Sequence, residues 1–260
     1  MIKSIGLQLW SVKDYMKTED DIKATFKKLK EMGYDEVQTA GSNIPYEDMA
    51  KIAKENGLEI VGTHYSFEKM EEDIEGAIAE HKALGTTNMG IGGYHFKTEE
   101  DVNVFIEKAN KIADRISKEG MKFTYHNHSH EFVEINGKTI WQRLVDGLDK
   151  DKTSFVLDTY WVQAAGGDVV EWIEKLAGRI DIIHLKDMGM WYREGAEENY
   201  LDKYVTPVGS GNMNFEKIIE AAVRTGVKYF CVEFEQEEWD KRDTMKCVEM
   251  CSDYLHKNFM

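Results

Sequence analysis

The stretch 123–132, FTYHNHSHEF, places three histidines (His126, His128 and His130) and the carboxylate of Glu131 behind a short aromatic run. Alternate side chains of a strand share a face, so His126 and His128 are predicted to project side by side from one strand end. Paired imidazoles can bind a metal ion or transfer protons. The alternative is a histidine cluster without a chemical role at a polar strand end.

Three later strands are also predicted to end in side chains that could do chemistry. By strand parity, Asp158, His184 and Glu233 each share a face with the apolar residues that precede them. Together with His126, two imidazoles and two carboxylates would converge, and burying them is costly unless they are paired or bind a cation. A divalent metal is predicted: Mn, Co, Zn or Fe(II) rather than Ca, with Mg open. A hydrogen-bonded polar cluster without metal is the alternative.

The elements that must position these residues alternate between short β-like runs and amphipathic helical runs. Strands are predicted at 5–10, 36–40, 58–64, 87–91, 122–128, 154–158, 180–186 and 229–235. Helices are predicted near 19–32, 46–56, 68–84, 98–119, 139–147, 168–177, 214–225 and 240–257. Eight β-α units predict an α/β fold, a (β/α)8 TIM barrel forming a single domain over residues 1–260. A doubly wound sheet is the alternative.

The longest connection between a strand and the next helix is predicted at 187–213. It contains Trp191, Tyr192 and an acidic run at 194–198. The loops that follow barrel strands build the site at the carboxyl-terminal face, so this segment is predicted to be a lid or wall for a substrate. A tolerated surface insertion is the alternative.

The charge and composition of the chain argue against some classes of binding partner. The formal charge of −15 disfavours binding to nucleic acid or to an anionic membrane, because both need clustered Lys and Arg. Three cysteines, an odd number, suit a reduced compartment, and cytoplasm is the expected location. No apolar run reaches the ~18 residues of a membrane span. We therefore expect a small-molecule partner, with the oligomeric state, homo-oligomers included, left open.

Several motifs together resemble the sugar phosphate isomerase/epimerase family, the xylose isomerase-like TIM barrels related to inosose dehydratase and endonuclease IV. They are YHNHSHEF at 125–132, DTYW at 158–161, GGD at 166–168, HLKD at 184–187, PVGSGNMNF at 207–215 and CVEFEQ at 231–236. The resemblance implies one metal ligand from each of the last four barrel strands, which maps onto His126, Asp158, His184 and Glu233. It also implies a sugar or cyclitol substrate.

Two positions depart from the pattern of that family. Many members place Glu where this chain has His126, which argues against a symmetric pair of carboxylates for epimerisation. Glu131 could supply the missing carboxylate, or His128 could transfer the proton. Gln38 stands where relatives often have Glu, and we expect it to contact substrate hydroxyls rather than the metal.

Four further residues are predicted to contact substrate at the barrel mouth. Trp10 and Trp161 lie at strand ends and could stack on a sugar ring, with plain packing as the alternative. His64 ends the third strand on an inward face, and a structural role is its alternative. Glu235 shares a face with Glu233.

The predicted reaction is removal of a proton next to a carbonyl. Glu233 or a histidine such as His128 would take the proton, while Lys186 would neutralise the developing oxyanion or simply pair with an acid. Isomerisation or epimerisation of a ketose follows from reprotonation. Dehydration or elimination on an inosose or keto-glycoside is the alternative, and abasic-site DNA repair and non-catalytic sugar binding are the weaker ones.

Overall fold

A computed structural model describes residues 1–192, 201–236 and 240–260. Within these residues, eight parallel strands form one sheet in the order β3-β2-β1-β12-β9-β8-β5-β4. Their bounds are β1 Gly6–Gln8, β2 Glu36–Ala40, β3 Glu59–His64, β4 Asn88–Ile91, β5 Lys122–His126, β8 Thr153–Asp158, β9 Ile180–Leu185 and β12 Tyr229–Val232. Two antiparallel hairpins lie outside the sheet: β6 Glu134–Ile135 with β7 Lys138–Thr139, and β10 Asp187–Tyr192 with β11 Leu201–Thr206.

The sheet nearly closes on itself between its two end strands, β3 and β4. The Tyr65 N–H donates to the Gly90 carbonyl at 2.7 Å, as in a regular ladder. The other hydrogen bonds between β3 and β4 use side chains instead of backbone pairs. Asn88 Nδ2 donates to the Val61 carbonyl at 2.8 Å, and the Gly90 N–H donates to Thr63 Oγ1 at 3.2 Å. The predicted TIM barrel is confirmed, and the doubly wound alternative is wrong.

Ten helices surround the described part of the barrel. They are α1 Glu19–Glu31, α2 Tyr46–Glu55, α3 Phe67–Glu72, α4 Ile74–Leu84, α5 Glu99–Ser117, α6 Ile140–Gly147, α7 Thr159–Ala164, α8 Val169–Lys175, α9 Phe215–Thr225 and α10 Thr244–Phe259. In α9 the buried residues Phe215, Ile218, Ile219 and Ala222 recur every three or four positions, so one apolar stripe packs on the sheet. None of the described helices is long and apolar enough to cross a membrane.

The structure differs from the predicted elements where local hydrogen bonds interrupt a pattern. The helix predicted at 68–84 breaks at Asp73, whose carboxylate caps α4 by accepting from the Gly76 N–H at 2.9 Å. β1 ends early because the side chain of Gln8 accepts from the Trp10 N–H and starts a 3-10 helix, Leu9–Tyr15. α7 was not predicted; it begins directly after Asp158, which caps it.

The long connection predicted at 187–213 contains the hairpin β10–β11 rather than an irregular loop. Its base is held by the buried carboxylate of Asp187, which accepts from the N–H groups of Gly209 and Gly211, both at 2.9 Å. A side chain at Gly211 would collide with this carboxylate, so glycine is required there. The acidic run at 194–198 lies outside the described residues, and the role of the segment as a lid stays a prediction.

A small apolar layer fills the barrel beneath the mouth. It consists of Val61, Val156, Ile182 and Cys231, all at most 2% exposed. Val156 and Ile182 precede Asp158 and His184 by two positions and therefore lie one layer deeper on the same inward faces. The polar mouth thus rests on a dry, low-dielectric floor, where unpaired charge is costly.

Candidate metal centre

The four predicted ligands lie at one level of the barrel. His126 and Asp158 are the last residues of β5 and β8, His184 is the next-to-last residue of β9, and Glu233 directly follows β12. Strand register aligns them, since Asp158 pairs with His184 across the β8–β9 ladder. All four residues are buried, with Glu233 the most exposed at 6%.

One atom from each side chain points at a common centre. His126 Nε2 lies 3.5 Å from Asp158 Oδ2 and 3.8 Å from Glu233 Oε2. His184 Nδ1 lies 3.9 Å from Asp158 Oδ2 and 2.5 Å from Glu233 Oε2. All four atoms lie within 4.8 Å of one another. The convergence that strand parity predicted is present.

Each of these four inward atoms is buried and has no hydrogen-bond partner within the described part of the chain. The opposite nitrogens of the imidazoles are held: His126 Nδ1 donates to the Gly92 carbonyl at 3.1 Å, and His184 Nε2 donates to Gln38 Oε1 at 2.5 Å. These bonds assign the tautomers and leave both inward nitrogens as lone-pair donors.

The carboxylates are oriented in the same way. Asp158 Oδ1 accepts from the Trp161 N–H at 3.0 Å, and Glu233 Oε1 accepts from Lys186 Nζ at 3.3 Å. Their second oxygens therefore face the two imidazole lone pairs. Four electron-pair donors that face one another repel unless a proton or a cation lies among them, and a divalent cation would remove this conflict for all four at once. Two nitrogens and two oxygens are a donor set that suits Mn, Co, Zn or Mg.

Lys186 is a fully buried ammonium at the edge of this cluster. Its Nζ lies 2.9 Å from Glu235 Oε2, 3.3 Å from Glu233 Oε1 and 3.9 Å from Asp158 Oδ2. Burial lowers the pKa of Lys186, but Glu233 and Asp158 outweigh it and raise the pKa above its ordinary value. The pKa of Glu233 shifts in the opposite direction. Burial raises it, but Lys186 and His184 outweigh burial and bring it well below the usual range. Both groups are therefore charged near neutral pH.

His128 lies beyond the end of β5 but still beside the centre. Its ring centroid is 4.8 Å from that of His126 and 5.3 Å from that of Trp161. Burial and the neighbouring His126 lower the pKa of His128 to about 2, so the ring is a neutral imidazole. Glu131 is fully buried beneath it and accepts from the Tyr125 hydroxyl at 2.7 Å and from the His128 N–H at 2.8 Å.

Gln38 and His64 occupy different places relative to the mouth. Gln38 has no exposed surface, and its carbonyl oxygen accepts from Nε2 of His184, one of the four predicted ligands. Its predicted contact with substrate hydroxyls stays a prediction. His64 is half-buried at the mouth, where its Nδ1 accepts from Gln8 Nε2 at 2.9 Å. Burial, then the nearby His126, lowers the pKa of His64. This leaves a neutral ring with Nε2–H directed away from Gln8.

A cleft of about 480 Å³ opens above the centre, within the about 300–1,000 Å³ that small-molecule sites span. Its walls include Trp10, His64, His128 and Glu235 together with the ligands His126 and Glu233. The ring of Trp161 packs under this wall, 4.9 Å from Lys186 Nζ. Among the described residues that line the cleft, none is Arg or Lys.

Residues 21–250 match the model of the xylose isomerase-like TIM barrel family. The chain belongs to this family. The motifs HLKD and DTYW had indicated the same family, so that prediction is confirmed. In this barrel the four predicted ligands lie at the ends of β5, β8, β9 and β12, and their role as metal ligands stays a prediction.

Other proteins of this family are similar to the chain in sequence or in structure. An inosose dehydratase from Geobacillus thermodenitrificans is 27% identical over 148 residues, 54% of this chain and 49% of that protein. The chain thus spans about half the length of the curated relatives it matches. A crystal structure of a sugar phosphate isomerase/epimerase from Parabacteroides distasonis has a TM-score of 0.81 at 25% identity and covers 100% of this chain and 96% of its own. A second sugar phosphate isomerase/epimerase from that organism has a TM-score of 0.78 at 28% identity and covers 98% of each chain.

Three residues that form hydrogen bonds to predicted site residues were not themselves predicted. Gln8 shares an inward strand face with Gly6, so parity could have revealed it. Gly92 acts through its backbone carbonyl, for which sequence carries no side-chain signal. Asn127, the residue after His126, is fully buried, and its Oδ1 accepts from the Asp158 N–H at 2.9 Å.

Proposed function

We propose that this protein is a divalent-metal-dependent enzyme that isomerises or epimerises a ketose or a related polyhydroxylated carbonyl compound. The observation that carries this proposal is the set of four buried, unpartnered donor atoms that His126, Asp158, His184 and Glu233 direct at one point beneath a cleft. The similarity to sugar phosphate isomerase/epimerases and inosose dehydratases supports the choice of a polyhydroxylated substrate.

His126, Asp158, His184 and Glu233 would hold the ion. When bound, the ion supplies Lewis-acid polarisation of a substrate carbonyl and favours loss of the adjacent proton. Gln38 and the Gly92 carbonyl keep both imidazoles in the ligating tautomer. Their contribution is preorganisation, because the donor atoms do not need to reorient when substrate arrives.

Proton transfer is assigned to Glu233 and His128. The low pKa of Glu233 keeps it as a carboxylate whose Oε1 can accept the proton next to the carbonyl, and the Lys186 ammonium 3.3 Å away stabilises negative charge on the substrate oxygen. His128 stands at the cleft wall, and we assign it the second proton transfer because its ring lies beside the predicted metal centre. Glu131 is assigned to positioning of His128, since hydrogen bonds from Tyr125 and from His128 engage its two oxygens.

The cleft wall supports an unphosphorylated substrate. No Lys or Arg lines the described part of the cleft, and the charge of the buried Lys186 beside it is already matched by Glu233 and Glu235. Phosphate recognition ordinarily uses Arg or Lys donors. Trp10 offers an aromatic face to a sugar ring, while His64 and Glu235 offer hydrogen bonds to hydroxyls.

Dehydration of an inosose, or elimination from a keto-glycoside, is the second candidate. His126 stands where many family members place Glu, which removes the symmetric carboxylate pair suited to epimerisation. The inosose dehydratase relative favours the same alternative. Both candidates share the first step, loss of the proton next to the carbonyl, and differ in what leaves afterwards.

A deuterium-exchange assay tests the shared step and separates the candidates. The protein is stripped with chelator, reloaded with Mn, Co, Zn or Mg, and incubated in D2O with a panel of ketoses and inososes. We expect NMR to show deuterium at the carbon next to the carbonyl only in metal-loaded protein. A rearranged or epimerised sugar identifies the isomerase, whereas a product that has lost water identifies the dehydratase. Exchange that is absent with all four ions contradicts the proposal.

A further inference from the structure

A second cavity adjoins the cleft and shares one wall with it. This side pocket, of about 190 Å³, lies behind Trp10, and Trp10, Ala40 and Gly41 line both cavities. Gly41 has a φ of +78° and no heavy atom within 4 Å of the place a Cβ would take, so the shared wall is thin there. A group attached to a molecule in the cleft can therefore extend into the side pocket.

The floor of the side pocket is apolar and buried. Leu9, Met16, Ile22 and Met49 line it, and none of these side chains is more than 8% exposed. An enclosed apolar cavity of about 150 Å³ binds benzene, so this pocket of about 190 Å³, which is open at its rim, has room for a single six-membered ring.

The polar groups at the rim are already used within the protein. Ser42 Oγ donates to the Ile44 carbonyl, and Asn43 Nδ2 donates to the Met16 carbonyl at 3.1 Å. The Lys13 ammonium lies 3.7 Å from the centroid of the Trp10 ring and rests on the aromatic face. The apolar floor of the pocket therefore favours an apolar group, selected by its shape.

We propose that the side pocket is a subsite for an apolar ring carried by the substrate. The preferred substrates are then polyhydroxylated ketones that bear one aromatic or alicyclic substituent, with the polar part over the metal centre and the ring behind Trp10. This substrate class rests on the function proposed above. The existence of the subsite does not, because binding of a bare ring can be measured without turnover.

The direct test is a titration of protein labelled with 13C at the methionine methyl groups, using benzyl alcohol as the probe. Met16 and Met49 line the side pocket, so we expect their methyl signals to shift saturably while those of Met245, which lines neither cavity, stay in place. Met49→Trp fills the pocket and should abolish the shift of Met16. Met49→Ala enlarges it and should admit 2-naphthylmethanol, whereas Met245→Ala, a matched truncation in α10, should not.

A second measurement connects the subsite to catalysis. In metal-loaded protein, a benzyl-substituted polyhydroxy ketone should have a KM about ten- to a hundredfold below that of its methyl-substituted counterpart, the gain expected from burying one aromatic ring. Met49→Trp should remove this difference and leave the methyl compound unaffected. Equal KM values in the wild type overturn the substrate class.

The two proposals fail in distinguishable ways. If benzyl alcohol leaves the signals of Met16 and Met49 unchanged, the subsite is wrong even where ketoses exchange deuterium. If benzyl alcohol binds there but no ketone exchanges with any metal, the subsite stands and the proposed function is wrong.

Discussion

The two halves of the barrel contribute different things to the centre. The second half, strands β5, β8 and β9 and the end of β12, supplies the four donor atoms. The first half supplies partners that hold imidazole rings: Gln38 of β2 holds His184, Gly92 after β4 holds His126, and Gln8 of β1 holds His64. The first half thus orients imidazole rings, whereas the second half carries the donor atoms together with Trp161 and Lys186, which orient the carboxylates of Asp158 and Glu233. Variants in each half should therefore fail differently.

Removing a donor atom in the second half should have the largest effect. In Asp158→Asn one charged oxygen becomes an amide, so metal affinity should fall by more than the about 10–100-fold that outer-sphere changes cost. Isothermal titration with Mn or Co measures this. Asp158 also caps α7, and Asp168→Asn is the matched control because Asp168 caps α8 in the same way. Equal losses in both variants would show that helix capping, not ligation, is responsible.

Removing an orienting group in the first half should have a smaller and selective effect. Gln38→Leu frees the His184 ring and should weaken metal binding by about 10–100-fold. Gln38→Glu keeps an acceptor and should retain most of the affinity. The control is Gln8→Leu, which frees His64, a residue outside the ligand set. If Gln8→Leu weakens metal binding as much as Gln38→Leu, the loss does not act through the His184 ring, and the orienting role of Gln38 is wrong.

The buried ammonium of the second half should matter most when no metal is present. Lys186→Met leaves Glu233 buried without its nearest cation, and breaking a buried pair costs about 3–5 kcal/mol. We expect the unfolding free energy of chelator-treated protein to fall by this order in urea titrations, with much of the loss recovered on adding metal. A variant as stable as the wild type without metal would show that Lys186 is not matched to these acids.

Each half buries a carboxylate, and their pH behaviour should contrast. Burial raises the pKa of Glu36 in β2. Its carboxylate accepts from the Ser4 hydroxyl, whereas Glu233 contacts the Lys186 cation. A folded-state pKa above the unfolded value stabilises the protein fully below the unfolded pKa, and this stability is lost as pH rises through the folded pKa. Glu36→Gln should flatten that slope in acid-range unfolding curves. An unchanged slope would show that Glu36 does not cause this pH dependence of the unfolding free energy.

Sequence patterns predicted the barrel and its four converging side chains because both depend on local periodicity. Asp158, His184 and Glu233 were found by strand parity alone, and the alternation of β-like and helical runs indicated eight units. Local periodicity does not predict contacts between segments that are distant in sequence. Gln38 meets His184 across 146 residues, and Gly92 meets His126 through its backbone. The break at Asp73 and the hairpin based on Asp187 depend likewise on side chains bonded to backbone.

The most direct measurement of the central claim is X-ray absorption on cobalt-loaded protein, combined with elemental analysis. We expect one cobalt ion per chain with a coordination shell of nitrogen and oxygen that includes two imidazoles, those of His126 and His184. We also expect the imidazole signal to halve in His184→Ala. A stripped and reloaded protein that retains no stoichiometric ion, or one whose ion carries no imidazole, would contradict it.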